Sequence, residues 1–219
     1  MYLPKEFDLA DHARCHALMR AASFATLVTN DRRGTPFASH IPILVEPTGG
    51  ALGTLIGHVA RNNPQSRHFA HQRSALAIFQ GPHGYISPAW YATSPQVPTW
   101  NYVAVHAYGV PGVIADPARV ALLLKRLTDN FEGDRPDGWR MESLPDSYVA
   151  AMIKGIVAFE IPIERLEGKA KLGQNRLAAD RRGAIAGLGA TGGAMNAELA
   201  RLMDEALASK DGDEPAAQA

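Results

Sequence analysis

The sequence predicts a mainly β protein, an antiparallel barrel with α-helices appended at its ends. Six short segments rich in β-branched and aromatic residues are separated by turn-length links. Such links join antiparallel neighbours, because parallel neighbours need a long crossover. Helical patterns flank these runs of strands, and no repeat of fixed period interrupts them. Close to half of the 219 residues are hydrophobic, which is ample for a core.

The elements follow in order. DLADHARCHALMRAA (8–22) predicts a helix, with Asp8 as its cap and Leu9, His12, Ala13, His16 and Ala17 at helical spacing. FATLVT (24–29), PFASHIPILVE (36–46) and ALGTLIGHV (51–59) predict three strands, separated by the turns NDRRG and PTGG. In NPQSRHFAHQ (63–72), Asn63 can cap a short helix and Pro64 can start it. ALAIFQG (75–81) and GYIS (84–87) predict two strands around the turn PHG. YVAVHAYGVPGVIA (102–115) predicts a long strand with a bulge or an edge at Gly109, Pro111 and Gly112. DPARVALLLKRLTDNFE (116–132) is the clearest helix: Asp116 caps it, Pro117 starts it, and Val120, Leu123, Leu124, Leu127 and Phe131 form its apolar stripe. DSYVAAMIKGI (146–156) predicts another helix, and IVAFEIPI (156–163) the last strand. Beyond Glu164 the composition turns polar and Ala/Gly-rich, with helices expected over 176–188 and 196–208. The expected organisation is a barrel domain over 1–165, a helical extension over 166–208 and a disordered tail over 209–219.

Charge narrows the function. Lys plus Arg equals Asp plus Glu, at 22 each, and no dense basic run exists. The sequence therefore does not support direct DNA binding, which leaves a basic footprint. The one cysteine, Cys15, cannot form an internal disulfide and fits a cytoplasmic setting. The N-terminal residues lack a signal-peptide pattern, and no apolar run is long enough to span a bilayer.

Several motifs invite chemistry. GLGATG (187–192) matches the dinucleotide fingerprint, but a helix, not a strand, leads into it, so a helix-ending loop explains it better. His58, His68 and His71 invite a metal, yet zinc sites need three or four matched ligands, and structural histidines are the better reading. GHVARNNPQ (57–65) carries Arg61, Asn62 and Asn63 from a strand end to a helix start, where N–H groups and a guanidinium suit an anion. SHIPIL (39–44) sets Ser39 and His40 before Pro42, as at an edge or a cleft. The stretch 85–109 holds two of the three tryptophans and four of the six tyrosines, without one Lys, Arg, Asp or Glu.

These segments resemble a known family. MYLPKEF, the strand pair ending in SHIPIL, GHVARNNPQ, VPTWNYVAVHAYG and KLGQNR occur in the order seen in the FMN-binding negative transcriptional regulators of PaiB type. The resemblance runs from Met1 to about Leu188 and departs at Gly173, where the family has serine. It implies a Greek-key split β-barrel that works as a homodimer with FMN in a groove between subunits. It further implies that Ser39, His40, Ile41 and His58 meet the flavin, that Arg61, Asn62 and Asn63 hold ribityl and phosphate, and that Trp100, Asn101 and Tyr102 approach it, with Gln174, Asn175 and Arg176 as further donors. The aromatic stretch would then close over the ring or cross the dimer interface. Two other functions stay open: a flavin-dependent oxidoreductase acting on a small molecule, and a haem-binding split barrel with His40, His58 or His106 as axial ligand.

Overall fold

Among the described residues, eight strands and five α-helices form; the strands are β1 Phe24–Asn30, β2 Pro36–Glu46, β3 Thr54–Ala60, β4 Ala75–Ile86, β5 Thr99–Gly109, β6 Gly112–Val113, β7 Ile156–Pro162 and β8 Arg165–Lys171. The α-helices are α1 His12–Ala21, α2 Pro117–Glu132, α3 Asp146–Lys154, α4 Ala178–Thr191 and α5 Ala194–Asp211. The structure, a computed structural model, describes residues 1–133 and 135–211, the side chains of residues 210 and 211 excepted. Hydrogen-bonded strands lie in the order β6-β7-β3-β2-β1-β4-β5-β8. The chain forms two compact units, a larger one of His12–Phe79 and His106–Leu166, and a smaller one of Met1–Asp11, Gln80–Val105 and Glu167–Ala219.

In the larger unit β1, β2 and β3 form an antiparallel meander, and β4 returns to pair with the free edge of β1 through Leu76–Ile78. The spatial order β4-β1-β2-β3 is a Greek key. Alternation fixes the register, since a slip of one residue would turn every core side chain outward. Leu27, Ile43, Leu55, Val59, Phe79, Phe159 and Ile161 thereby fill one interior. Phe69 seals it from the 3-10 helix Pro64–His71, with its ring 5.1 Å from that of Phe159. On the opposite face, Val120, Leu123 and Leu127 of α2 pack with Ile114, Ala158, Ile56 and Ile153. Asp116 caps α2 through Ala118 N–H, as expected.

Four sequence expectations change. The two strands around PHG are one strand, β4. Pro82 lies beyond the Leu76–Ile78 segment that pairs with β1, so that ladder needs no N–H from it. The strand β8 escapes prediction because RLEGKAK has no β-branched or aromatic residue, and Gly and Ala fill two of its three uncharged positions. Asp8 does not cap α1, which starts at His12; its backbone instead bridges to Lys169. Residues 209–211 belong to α5, and residues 212–219 of the expected tail lie outside the described residues.

The smaller unit contains the C-terminal half of β4, most of β5 and β8, and both C-terminal helices. Leu199, Met203 and Leu207 of α5 and Leu188 of α4 are core residues here, so the weakly patterned extension is integral to this unit. The GLGATG glycines lie in or at the end of α4, not in a phosphate loop. Gly183 lies under the Trp90 carbonyl and Gly187 under the Trp90 ring, where a Cβ would come within 2.2 Å of ring carbon. Gly187→Ala should therefore lower stability in urea unfolding by about 1–3 kcal/mol. Gly189 meets nothing within 4 Å. Gly189→Ala should raise stability by about 0.5–1 kcal/mol through helix propensity. Midpoints that shift in the same direction would show that Trp90 does not constrain this helix.

Candidate functional site

In the larger unit, the strand end of β3 and the start of the 3-10 helix are held by one side chain. Asn63 Oδ1 accepts from Gln65 N–H at 2.9 Å, which caps the helix. Its Nδ2 donates to Ser39 Oγ at 2.9 Å, which ties the cap to β2. The fully buried Gln65 donates to the Leu27 and Phe37 carbonyls at 2.9 and 3.3 Å, so the helix is stitched to β1 and β2. Ser39 Oγ accepts in this bond, which leaves its hydroxyl proton to donate elsewhere. His40 is exposed, with Nδ1 3.0 Å from Thr26 Oγ1. Ile41 pairs with Ala25 in the β1–β2 ladder.

Arg61 is exposed but held. Its backbone N–H donates to Gly155 O at 2.8 Å, its Nε to Lys154 O at 2.5 Å and its Nη2 to Ile156 O at 2.7 Å. The neutral carbonyls fix the guanidinium and leave its charge uncompensated. Asn62 beside it is exposed. This donor set of hydroxyl, imidazole, amides and a fixed guanidinium fits the polar edge and the phosphate of FMN. His58 departs from the expected grouping. It lines an apolar pocket against α2 and α3, and burial holds its ring below the ordinary histidine pKa.

The smaller unit gathers the other expected residues, in different roles. Trp100 is 55% exposed, with Tyr85 and His83 at centroid distances of 6.1 and 6.4 Å. Asn101 is buried and donates to Met203 Sδ at 3.4 Å, so packing consumes its amide. The ring of Tyr102 lies 5.3 Å from Lys169 Nζ. Gln174 closes its own loop, accepting from Leu172 N–H at 2.8 Å and donating to Ala170 O at 2.6 Å. Gly173 has φ +82°, which explains glycine there. Asn175 is exposed, and Arg176 donates to Gln96 Oε1 above the Tyr91 ring. Lys171 opens the KLGQNR donor cluster that the sequence singles out. Burial, then Lys169 and Arg176, push its ammonium below the usual lysine range. Positive charge is thus concentrated around Lys171, as an anion site requires.

Among the remaining histidines, His68 Nδ1 is 2.8 Å from Thr29 Oγ1 and its ring stacks on His71 at 5.7 Å. The Nδ1 of His106 lies 3.5 Å from the Tyr108 hydroxyl. A basic pocket also emerged that the sequence concealed. Arg32 and Arg33 from the β1–β2 turn meet Arg67, His68 and His71 around a recess of about 640 Å³. Its charges come from two separate segments, so no basic run announces it.

The Greek-key sheet with these helices is a split β-barrel. It matches the FAD and haem binding protein of Mycobacterium smegmatis with a TM-score of 0.57, at 22% identity over 84% of this chain and 78% of that one. It matches the flavocytochrome Anf3 of Azotobacter vinelandii at the same TM-score, with 17% identity over 73% and 67%.

The chain belongs to the FMN-binding family described as "Putative FMN-binding domain", whose model matches residues 1–165, and FMN is the cofactor of that domain. It is 33% identical to the protease synthase and sporulation protein PAI 2 of Bacillus subtilis, over 94% of this chain and 98% of the relative. An uncharacterized protein of Aspergillus fumigatus is also 33% identical, over 80% and 84%.

Asn63→Ala should cost about 1–2 kcal/mol in urea unfolding, because it removes a cap and a cross-strand bond together. Asn63→Asp keeps the cap acceptor and should recover about half of that loss. Equal losses in the two variants would mean that the Ser39 bond alone matters.

Proposed function

We propose that the protein is a cytoplasmic FMN-binding homodimer whose flavin occupancy is linked to regulation. The observation that carries this reading is the turn Arg61–Asn63. Its guanidinium is pre-positioned by the Lys154 and Ile156 carbonyls, beside an exposed Asn62 and the Asn63–Ser39 clamp. In this reading Arg61, Asn62 and Asn63 hold ribityl and phosphate, while Ser39, His40 and the backbone at Ile41 meet the polar edge of the ring. Trp100, Tyr102, Asn175 and Arg176 come to the flavin from the second copy. When bound, FMN supplies one- and two-electron redox chemistry. Exposed apolar residues support the dimer: Phe24 is 70% exposed on β1, and such surface marks interfaces. The regulatory part rests on the PaiB-type motifs and on the sporulation protein of Bacillus subtilis.

Arg61→Ala should weaken FMN binding about ten- to a hundredfold in fluorescence-quenching titrations, because a charge-assisted bond is lost. Riboflavin, which lacks the phosphate, should weaken much less. The apo-protein should also lose about 1 kcal/mol, since two carbonyls lose their donor. Equal weakening of both ligands would remove the phosphate from this turn, and the Lys171–Arg176 cluster would then take it. Light scattering at micromolar concentration should return twice the chain mass of 23.5 kDa. The monomer mass would refute the dimer.

A further inference from the structure

Helices α2 and α3 leave a recess against the sheet of the larger unit. Its volume is about 360 Å³, and its walls include Pro42, Leu127, Phe131, Trp139 and Met152. That is the small end of the range for ligand sites, about 300–1,000 Å³. Pro42 projects from the β2 face opposite Ser39, because side chains alternate along a strand. The recess therefore does not include the Ser39–Asn63 clamp. Among the described residues, no Lys, Arg, Asp or Glu lines it. A charged ligand would forfeit its hydration there without compensation.

Three residues bring polar groups to the apolar wall: His58, Thr128 and Trp139. His58 lies on β3 between the inward-facing Gly57 and Val59, so its ring faces the helices. Its Nδ1 is sealed from solvent without a hydrogen-bond partner. Burial keeps the ring neutral by lowering its pKa. A neutral imidazole carries one N–H and one lone pair. Orphaned buried N–H groups are rarer than orphaned acceptors. That asymmetry assigns the lone pair to the sealed Nδ1 and the proton to Nε2. The recess is therefore furnished with a neutral donor at His58, beside the indole N–H that Trp139 brings to the wall. The hydroxyl of Thr128, also in the wall, already donates to Leu124 O at 3.0 Å.

We propose that this recess binds an uncharged aromatic carbonyl compound, a ketone, aldehyde or quinone, whose oxygen accepts the hydrogen bond of His58 Nε2. The apolar walls bury the rings, and the His58 donor selects a carbonyl over a hydrocarbon of equal shape. The site is independent of the flavin reading.

The test uses 2-acetylnaphthalene and its near-isostere 2-isopropylnaphthalene, in equilibrium dialysis against the full-length protein. The ketone should bind more tightly than the hydrocarbon. His58→Phe should weaken the ketone about three- to tenfold and leave the hydrocarbon within about twofold, as the loss of one neutral hydrogen bond requires. Met152→Trp, which fills the recess, should abolish binding of both. Should His58→Phe fail to fold, the wild-type preference and Met152→Trp together still decide. The proposal is overturned if the wild type does not prefer the ketone, if His58→Phe weakens both probes equally, or if Met152→Trp binds both as before. Displacement of the ketone by FMN would also overturn it, by placing the flavin in this recess.

Discussion

The amide of Asn63 does two jobs that the larger unit cannot separate. It starts the 3-10 helix by accepting from Gln65 N–H, and it holds that helix to β2 by donating to Ser39. Gln65, placed by the cap, then spends its own amide on the Leu27 and Phe37 carbonyls inside the sheet. Phe69, one turn and a little further, reaches the core against Phe159 because the helix is pinned at its start. Four polar contacts in a row thus decide where an aromatic side chain packs. Buried polar networks of this kind specify geometry because each member would be costly to leave unpaired. The turn just before, which carries Arg61 and Asn62, takes its position from the same anchor.

The legible parts of the fold were those written in local chemistry. Asp116-Pro117 and Asn63-Pro64 marked helix starts because a short polar side chain followed by proline satisfies the first N–H groups by itself. The strands β1, β2 and β3 were legible because β-branched residues alternate between turn residues. The strand β8 was not, since its residues are chosen by neighbours distant in sequence. Lys169 on it serves the Tyr2 carbonyl, and Lys171 the Thr99 hydroxyl. The expected site was legible as motifs but not as contacts. No spacing rule reveals that Asn101 is spent on Met203, that Gln174 closes its own loop, or that His58 turns toward α2.

The aromatic loop and the glycine run explain one another within the smaller unit. Trp90 needs a flat, side-chain-free surface, and α4 provides one at Gly183 and Gly187. Thr93 fixes the same loop through two bonds to the buried Asp180 carboxylate, at 2.9 and 2.7 Å. Those bonds hold the carboxyl below the usual range, so it stays ionised as an acceptor. Trp100, ten residues on, is left largely in water. The two tryptophans of one loop therefore divide their work: one packs a helix, and the other is available to a ligand or a second copy.

The chain passes between its two units four times, which sets the order in which a ribosome can complete them. Residues 1–11 precede their partners on β8 by more than 150 positions. The amino terminus pairs with Glu167, and Leu9 N–H reaches Gly168 O at 3.0 Å. The contacts of this segment to Glu167 and Gly168 cannot form until those residues have been made. Closing so long a loop carries an entropic cost that local structure cannot offset beforehand. The larger unit can form its Greek key from residues 24–79 while synthesis continues, but β7 completes its sheet only after residue 162. Nascent chains stalled before that point would expose the unpaired edge of β3, a template for association with neighbouring copies.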